Sequence, residues 1–549
     1  MVTWPPPWWL PNDKNTLVPA RSAAADLQEF ALTVGYSERM IPVYAGSHVR
    51  DAETAQLKDA NDTTLMRLAA DALAHQAVLM LKSDGGRLYG ARVLGLIGPG
   101  NNGGDGLFAL AALAKRGVRA TAVLLAPQAH AQGLAALVRS GGRTTTAKHL
   151  DELLVDTDLV VDALYGTGLR PGAELPKIPS QVRVLAADIP SGVDANTGAA
   201  APSVIRADRT VCFGALKTGL VVGSGHLVSG SIHITDAGLT DHLPKPDAWV
   251  VQGDDLELLL DRDQSWAAAG AHKYQRGVLG LLAGSAKYPG AAVLSARAAV
   301  ASGLGLLRTV VPEAVATALT TQVPESVPLN TEELTALLAR NRRNGRAGAT
   351  RISAWAIGPG LVDNAETRQY LDQILEANNP CVLDAGALAM LEPGEHHQLR
   401  ILTPHAGELH SLLAKAGVRV SATDIATDPI RWARWAAVAY DCVILLKGSA
   451  TICTAPDGYA LIVHAATPDL ATAGSGDVLT GILGTLLAAA TFPSMTGADE
   501  VTQSHRLTEL AAAGALIHAH AGALAAAEGT LSAVDLLQEL PRAARQLGL

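Results

Sequence analysis

The sequence predicts an α/β protein of two domains, each built on a largely parallel sheet with helices on both faces. Three observations predict it. The chain has 549 residues, more than one hydrophobic core serves. Apolar residues make up 48% and charged residues 17%, the balance of a well-buried globular chain rather than a disordered one. Apolar runs of strand length alternate with helix-like segments through both halves, the pattern of buried parallel strands joined by crossover helices.

Residues 1–45 read as an extension. Trp4, Trp8 and Trp9 stand there among prolines, so the segment suits an extended path over another surface, its own or a partner subunit's. A homo-oligomer is the expectation. The first domain then spans 46–240. A helix-like stretch over 52–80 precedes the strand ARVLGLIG (91–98), a glycine loop and a helix over 107–116. Further strands are ATAVLLA (120–126), DLVVDAL (158–164), VRVLAADI (182–189) and RTVCFG (209–214). Prolines in HLPKPDAW (242–249) mark a linker over 241–246, and the second domain runs 247–549. Its strands are VLGLLAG (278–284), WAIGPG (355–360), CVLDAG (381–386) and VILLKG (443–448). RNRRNGRAGATR (340–351) reads as a solvated basic loop.

Composition excludes several function classes. Net charge is −9, which argues against a general nucleic-acid binder. Cys212, Cys381, Cys442 and Cys453 form no CxxC pair and mostly lie in apolar runs, so reduced buried thiols are expected. No signal peptide is evident, and the apolar run 478–491 is too short to span a bilayer. A cytoplasmic protein with no membrane partner is the expectation.

The chemistry concentrates in loops that follow strands, where α/β folds bind ligands. In the second half these are GSAKYPGA (284–291), GPG (358–360), KGSAT (447–451) and GSGD (474–477). GSGD opens an apolar helix, so its free backbone N–H groups make an anion cradle. A carboxylate at Asp477 would repel a phosphate, unless it touches the attacking hydroxyl instead. There it accepts the proton while the helix N-terminus stabilises the transferred group. The alternative is a helix cap.

ATAGSGDVLTGILGTLLA resembles the signature of ribokinase-like vitamin kinases. With HKYQRGVLGLLAGSAKYPGA, AIGPGL, LTPHAGEL and LLKGSAT, the second half resembles the ADP/ATP-dependent NAD(P)H-hydrate dehydratases. The resemblance implies a ribokinase-like α/β/α domain that phosphorylates NADH or NADPH hydrated at ring carbon 6 and expels the phosphate. It places the catalytic aspartate at Asp477. It places nucleotide at Gly476 and at Lys447, Gly448, Ser449, Ala450 and Thr451, and hydrate contacts at Ala291, Gly360 and His405. It implies ADP, or ATP, as donor, with Mg2+ bridging the donor phosphates. The chain departs from the family pattern at Gly386, where DADAL is usual, at PHAGE (404–408), and at Val362 after GPGL.

In the first half, GPGNNGGDGL (98–107) is neither GxGxxG nor a P-loop. With DALYGTGL (162–169) and DIPSGVDANTG (188–198) it offers carboxylate, amide and hydroxyl oxygens that suit a hard cation, or else close Asx turns. These segments, with ADRTVCFGALKTGL and ITDAGL, resemble the NAD(P)H-hydrate epimerases, which implies a Rossmann-like three-layer sandwich. The resemblance implies K+ held by Asn102, Asp162 and Ser191. It implies a dinucleotide site at Asn101, Asn102, Gly103, Gly104 and Asp105, at the 166–172 loop with Gly166, Thr167, Gly168 and Leu169, and at Asp188. Breaking and re-forming the C6–OH bond needs an acid that later activates water. Asp188 is the candidate, with Lys217 as a nearby cation.

The expectation is therefore a bifunctional repair enzyme whose epimerase supplies the one epimer its dehydratase consumes. The alternative is a small-molecule kinase fused to a non-catalytic Rossmann-like domain. His518 and His520 are two apart on a helix and do not share a face, so no metal pair is expected there.

Overall fold

The computed structural model describes residues 32–33, 40–59, 62–167, 174–260, 272–344, 352–394, 399–490 and 500–547. The Trp/Pro segment, the end of the basic loop, and His396–His397 lie outside them. Two sheets form the frame. The first has eight strands, all parallel, with 159–163 at its centre between 92–97 and 183–187. Their runs are apolar on both faces because helices cover both, as at 159–163, where every residue is buried.

The second sheet has twelve strands. Strands 326–328, 306–310, 278–282, 354–357, 381–383, 400–402 and 443–446 lie side by side and parallel. The hairpins 443–446/450–454 and 450–454/460–464 then turn antiparallel. Beyond them the sheet continues through 248–250, 41–44 and 216–217. Strand 41–44, which the sequence reading places in the extension, is thus a buried part of this sheet.

Several further elements differ from the expectation. The helix expected over 52–80 is two, Gly46–Asp59 and Asp62–Lys82. The helix expected at 107 begins at Asn101, inside the glycine run. Glycine disfavours helix, but here it permits close packing: a Cβ on Gly103 would lie 2.1 Å from Gly98 O, and one on Gly106 2.5 Å from Ala163 Cβ. The basic segment is helical as far as Asn344. Among the described residues one helix, 501–527, is apolar and long enough to cross a membrane, a feature absent from the sequence-based expectation. It is 72% buried and packs between the second sheet and the helices 475–489 and 533–546, as a core helix does. All four cysteines are buried and unpaired.

Candidate active sites

The helix Ser475–Ala489 opens behind Gly474, whose φ of 88° lies in the left-handed region. A Cβ there would also strike Leu294 Cδ1 at 2.5 Å, so only glycine fits. The N-cap is Gly474 and no side chain caps the helix. Asp477, third in the helix, is therefore not a cap. Its backbone is held by Ser295, whose hydroxyl donates to Asp477 O at 2.9 Å. Ala291 lies one turn before Ser295 on the same helix and beside Gly360, where a Cβ would come within 2.8 Å of Ala291 Cβ.

Asp384, at the end of strand 381–383, organises the floor of the site. Its carboxylate accepts from Lys447 Nζ at 2.7 Å, Thr403 Oγ1 at 2.8 Å and Thr480 Oγ1 at 2.9 Å. Glu408 Oε2 stands 3.8 Å from the same ammonium and accepts from His405 N at 2.9 Å. His405 caps the helix 406–415, its Nδ1 accepting from Gly407 N and Glu408 N. A Cβ on Gly476 would lie 3.5 Å from Lys447 Nζ, so the helix start and this ion cluster face each other. Gly448 and Ser449 form the exposed tip of the hairpin that carries Lys447, while Ala450 is buried and Thr451 half-buried. Ser475 contacts His518 Nε2 through its hydroxyl at 3.1 Å and its carbonyl at 3.0 Å. His520 turns instead to Gln546, so the two histidines do not converge.

The electrostatics separate the two acids. Burial, then the charge of Asp384, pushes the Asp477 carboxyl up to about 6, with Lys447 opposing. Burial works against the Lys447 ammonium, but Asp384 and Glu408 outweigh it and raise its pKa. Asp384 is saturated by three donors, whereas no hydrogen bond to the Asp477 carboxylate is found among the described residues.

In the first half, Asp188 has φ 68°, a strained value for a residue with a Cβ. Its Oδ1 accepts from Lys217 Nζ at 2.5 Å and from Phe213 N at 3.3 Å. The lysine is fully buried, and it also donates to Phe213 O at 2.7 Å and to Cys212 Sγ at 3.7 Å. All three ammonium hydrogens thus have protein acceptors. Asp188 holds its pKa up despite the burial that would lower it. The other Asp188 oxygen turns toward the glycine loop: a Cβ on Gly166 would lie 3.6 Å from both Asp188 Oδ2 and Asn102 Cβ.

Asp162 is fully buried, and its carboxylate accepts from Ser191 Oγ at 2.6 Å, Ser191 N at 2.7 Å and Leu164 N at 3.3 Å. Burial pushes it up to about 6 against those bonds. Asn102 has both side-chain polar atoms buried and unpartnered.

The structure thus brings Asn102, Gly166 and Asp188 together. Gly103 instead faces Gly98, and Gly104 packs against His130 and Met66, so these two serve helix packing. Asn101 is exposed at the helix start and Asp105 is buried. Thr167 is held by Arg50, whose Nη2 donates to its carbonyl at 2.8 Å. Gly168 and Leu169 lie outside the described residues.

Sequence reasoning assigned no role to Glu408 and Ser295 in one half or to Arg50 in the other, considered His518 only as a metal ligand, and left Asp384 without a role. DAG after a strand was a signal for Asp384.

The profile of the family described as NAD(P)H-hydrate dehydratase matches residues 279–542. That described as YjeF-related protein N-terminus matches residues 62–219. The bifunctional NAD(P)H-hydrate repair enzyme of Mycobacterium leprae is 34% identical over 506 residues, covering 88% of this chain and 94% of that one. Its namesake in Mycobacterium tuberculosis H37Rv is 35% identical over 465 residues, covering 81% and 89%. Among solved structures, the ADP/ATP-dependent NAD(P)H-hydrate dehydratase from Bacillus subtilis co-crystallised with ATP/Mg2+ is 30% identical. It covers 51% of this chain and 92% of that one, with a TM-score of 0.42.

Proposed function

Because the chain belongs to the family of bifunctional NAD(P)H-hydrate repair enzymes, we propose that its two sites divide one repair between them as follows. The protein restores hydrated NADH and NADPH. Its first half epimerises the hydrate at ring carbon 6, and its second half dehydrates the S form with ADP or ATP. ADP is the donor we assign.

The observation that carries the second site is the contrast between its acids. Asp384 is saturated by three donors and holds Lys447. Asp477 keeps an uncommitted carboxylate beside bare helix N–H groups. Asp477 is the base that takes the proton from the C6 hydroxyl as its oxygen attacks the donor's terminal phosphorus. Lys447 and the N–H groups of the helix start stabilise the charge spreading over the transferred group. The ring nitrogen then expels phosphate and NAD(P)H is restored. Gly476 and Lys447–Thr451 hold the nucleotide, and Ala291, Gly360 and His405 line the hydrate. Mg2+ would enter with the donor and would offset the charge of its phosphates. Among the described residues no cluster of three ligating side chains competes for it.

In the first site, Asp188 is an acid–base carboxyl that exchanges a proton with the oxygen entering or leaving at ring carbon 6. Lys217 has no hydrogen left for substrate, so it acts by fixing Asp188 Oδ1 and leaving Oδ2 to work. K+ fits at Asn102, Asp162 and Ser191. The buried, unpartnered Asn102 Oδ1 is an acceptor awaiting a cation, and a cation also offsets the buried charge of Asp162. When bound, it supplies positive charge near the dinucleotide. Four buried free thiols suit a reducing compartment, and we assign the chain to the cytoplasm.

The test is consumption of a racemic hydrate with ADP. Both epimers should disappear, with NADH and phosphate rising together. A stable phosphorylated product, or an R epimer left untouched, would refute the reading.

A further inference from the structure

Epimerisation sets a stereochemical demand that one carboxyl meets poorly. Hydroxide leaves from one face of the ring and water returns to the other, while a bound ring keeps each face toward a different wall. The structure supplies a second acid on a different element. Tyr44 pairs in register with Lys217, and the helix Gly46–Asp59 starts two residues later, beside that lysine. Its start is pinned to the Asp188 loop, Ser47 N donating to Asn196 Oδ1 at 3.0 Å. Val49 and Ala52 are buried on this helix, and Val49, four residues before Glu53, lies on its side. Arg50 and Glu53, three apart, share a face. Arg50 grips Thr167 of the glycine loop through its carbonyl at 2.8 Å and its hydroxyl at 3.2 Å. Glu53, half-buried, therefore looks toward the same opening.

We propose that Glu53 is a second proton-transfer carboxyl of the epimerase site, serving the ring face opposite to Asp188. This rests on the assignment of Asp188 above. In the step, the ring nitrogen lone pair forms the C=N bond as the C6–O bond breaks, and the departing hydroxide takes the proton of Glu53 to leave as water. A water on the opposite face then adds to C6, giving its proton to Asp188, and the C=N pair returns to nitrogen. The reverse reaction exchanges the two roles, so the pair works while it shares one proton.

The electrostatics suit that sharing. Burial pushes the Glu53 carboxyl up, and Asp188 adds to the rise. Lys217 and, from its own helix, Arg50 oppose it. A structural salt bridge would leave a carboxylate pushed down instead, and no ion pair to Glu53 is found among the described residues.

The experiment follows R-to-S interconversion by full-length Glu53→Gln without ADP, with Asp188→Asn in parallel. We expect kcat for Glu53→Gln to fall about 100-fold or more with KM within about threefold of wild type. ADP-dependent dehydration of the S hydrate should be unchanged, which reports a folded chain. Epimerisation within about threefold of wild type overturns the proposal. Should Glu53→Gln also lose dehydration, Glu53→Met is read the same way. Loss in Asp188→Asn with Glu53→Gln intact overturns the second carboxyl alone. Both variants intact would overturn the Asp188 assignment itself.

Discussion

Asp477 costs the fold something through the burial of its carboxyl. Its carboxyl is raised from 3.8 to about 6, so the native state holds a proton that the unfolded chain has released. Stability therefore falls as pH rises through that window and levels off above it. Two pKa units set an upper bound of about 3 kcal/mol. Asp477→Asn should be more stable than wild type at pH 7 and no more stable below pH about 3.8, read by thermal melts at both. Equal melting at pH 7 would mean the carboxylate is not strained. The same shift predicts that wild-type kcat/KM for dehydration rises with pH through about 6, as the base ionises. Asp477 stands out in the sequence because an acid directly after a glycine turn, at a helix start, contradicts the anion cradle around it. The sequence marked Asp384 only by DAG after a strand and did not show its partners, because Lys447, Thr403 and Thr480 reach it only once the chain folds.

At the scale of elements, glycine misled and then explained. The run NNGGDG reads as a loop by propensity, yet close packing against strands 92–97 and 159–163 makes it helix. Tertiary contact overrides local preference there, and no local pattern reports it. Gly386 shows the same physics at a functional edge. A Cβ on Gly386 would lie 2.4 Å from Leu361 O, in the loop that carries Gly360. The aspartate that the resemblance leads one to expect there has no room in this chain. Gly386→Asp should cost about 1–3 kcal/mol as an overpacked site and raise KM for the hydrate by displacing Gly360. A neutral melting temperature with unchanged KM would show that the loop yields freely. Strands 92–97, 159–163 and 183–187 were legible to within two residues, because runs buried on both faces are apolar throughout, whereas 306–310 and 400–402, each with an arginine, were not read.

The whole molecule joins its two sites through one sheet. Strands run without a break from 443–446, next to Lys447, through 450–454, 460–464, 248–250 and 41–44 to 216–217, which carries Lys217. The seam is sealed by His226 and His464, stacked with ring centroids 4.2 Å apart, and by His464 Nε2 donating to Val221 O at 2.8 Å. Burial lowers both imidazoles, His464 to about 4, so the stack is neutral at pH 7. None of this was legible, since strand pairing across a proline-marked break leaves no local signal. A protease site placed at 244–246 tests it. After cleavage the two pieces should co-elute in gel filtration and melt in a single transition, whereas separation into two folded pieces would contradict a shared sheet.

The central claim is that Asp477 deprotonates the alcohol that captures phosphorus. Its most direct test is rapid-quench single turnover of Asp477→Asn with the S hydrate and ADP, both at saturating concentration. The prediction is near-normal binding of both ligands with no phosphorylated hydrate and no NADH formed on the wild-type timescale. Phosphoryl transfer at a rate within about tenfold of wild type would contradict it.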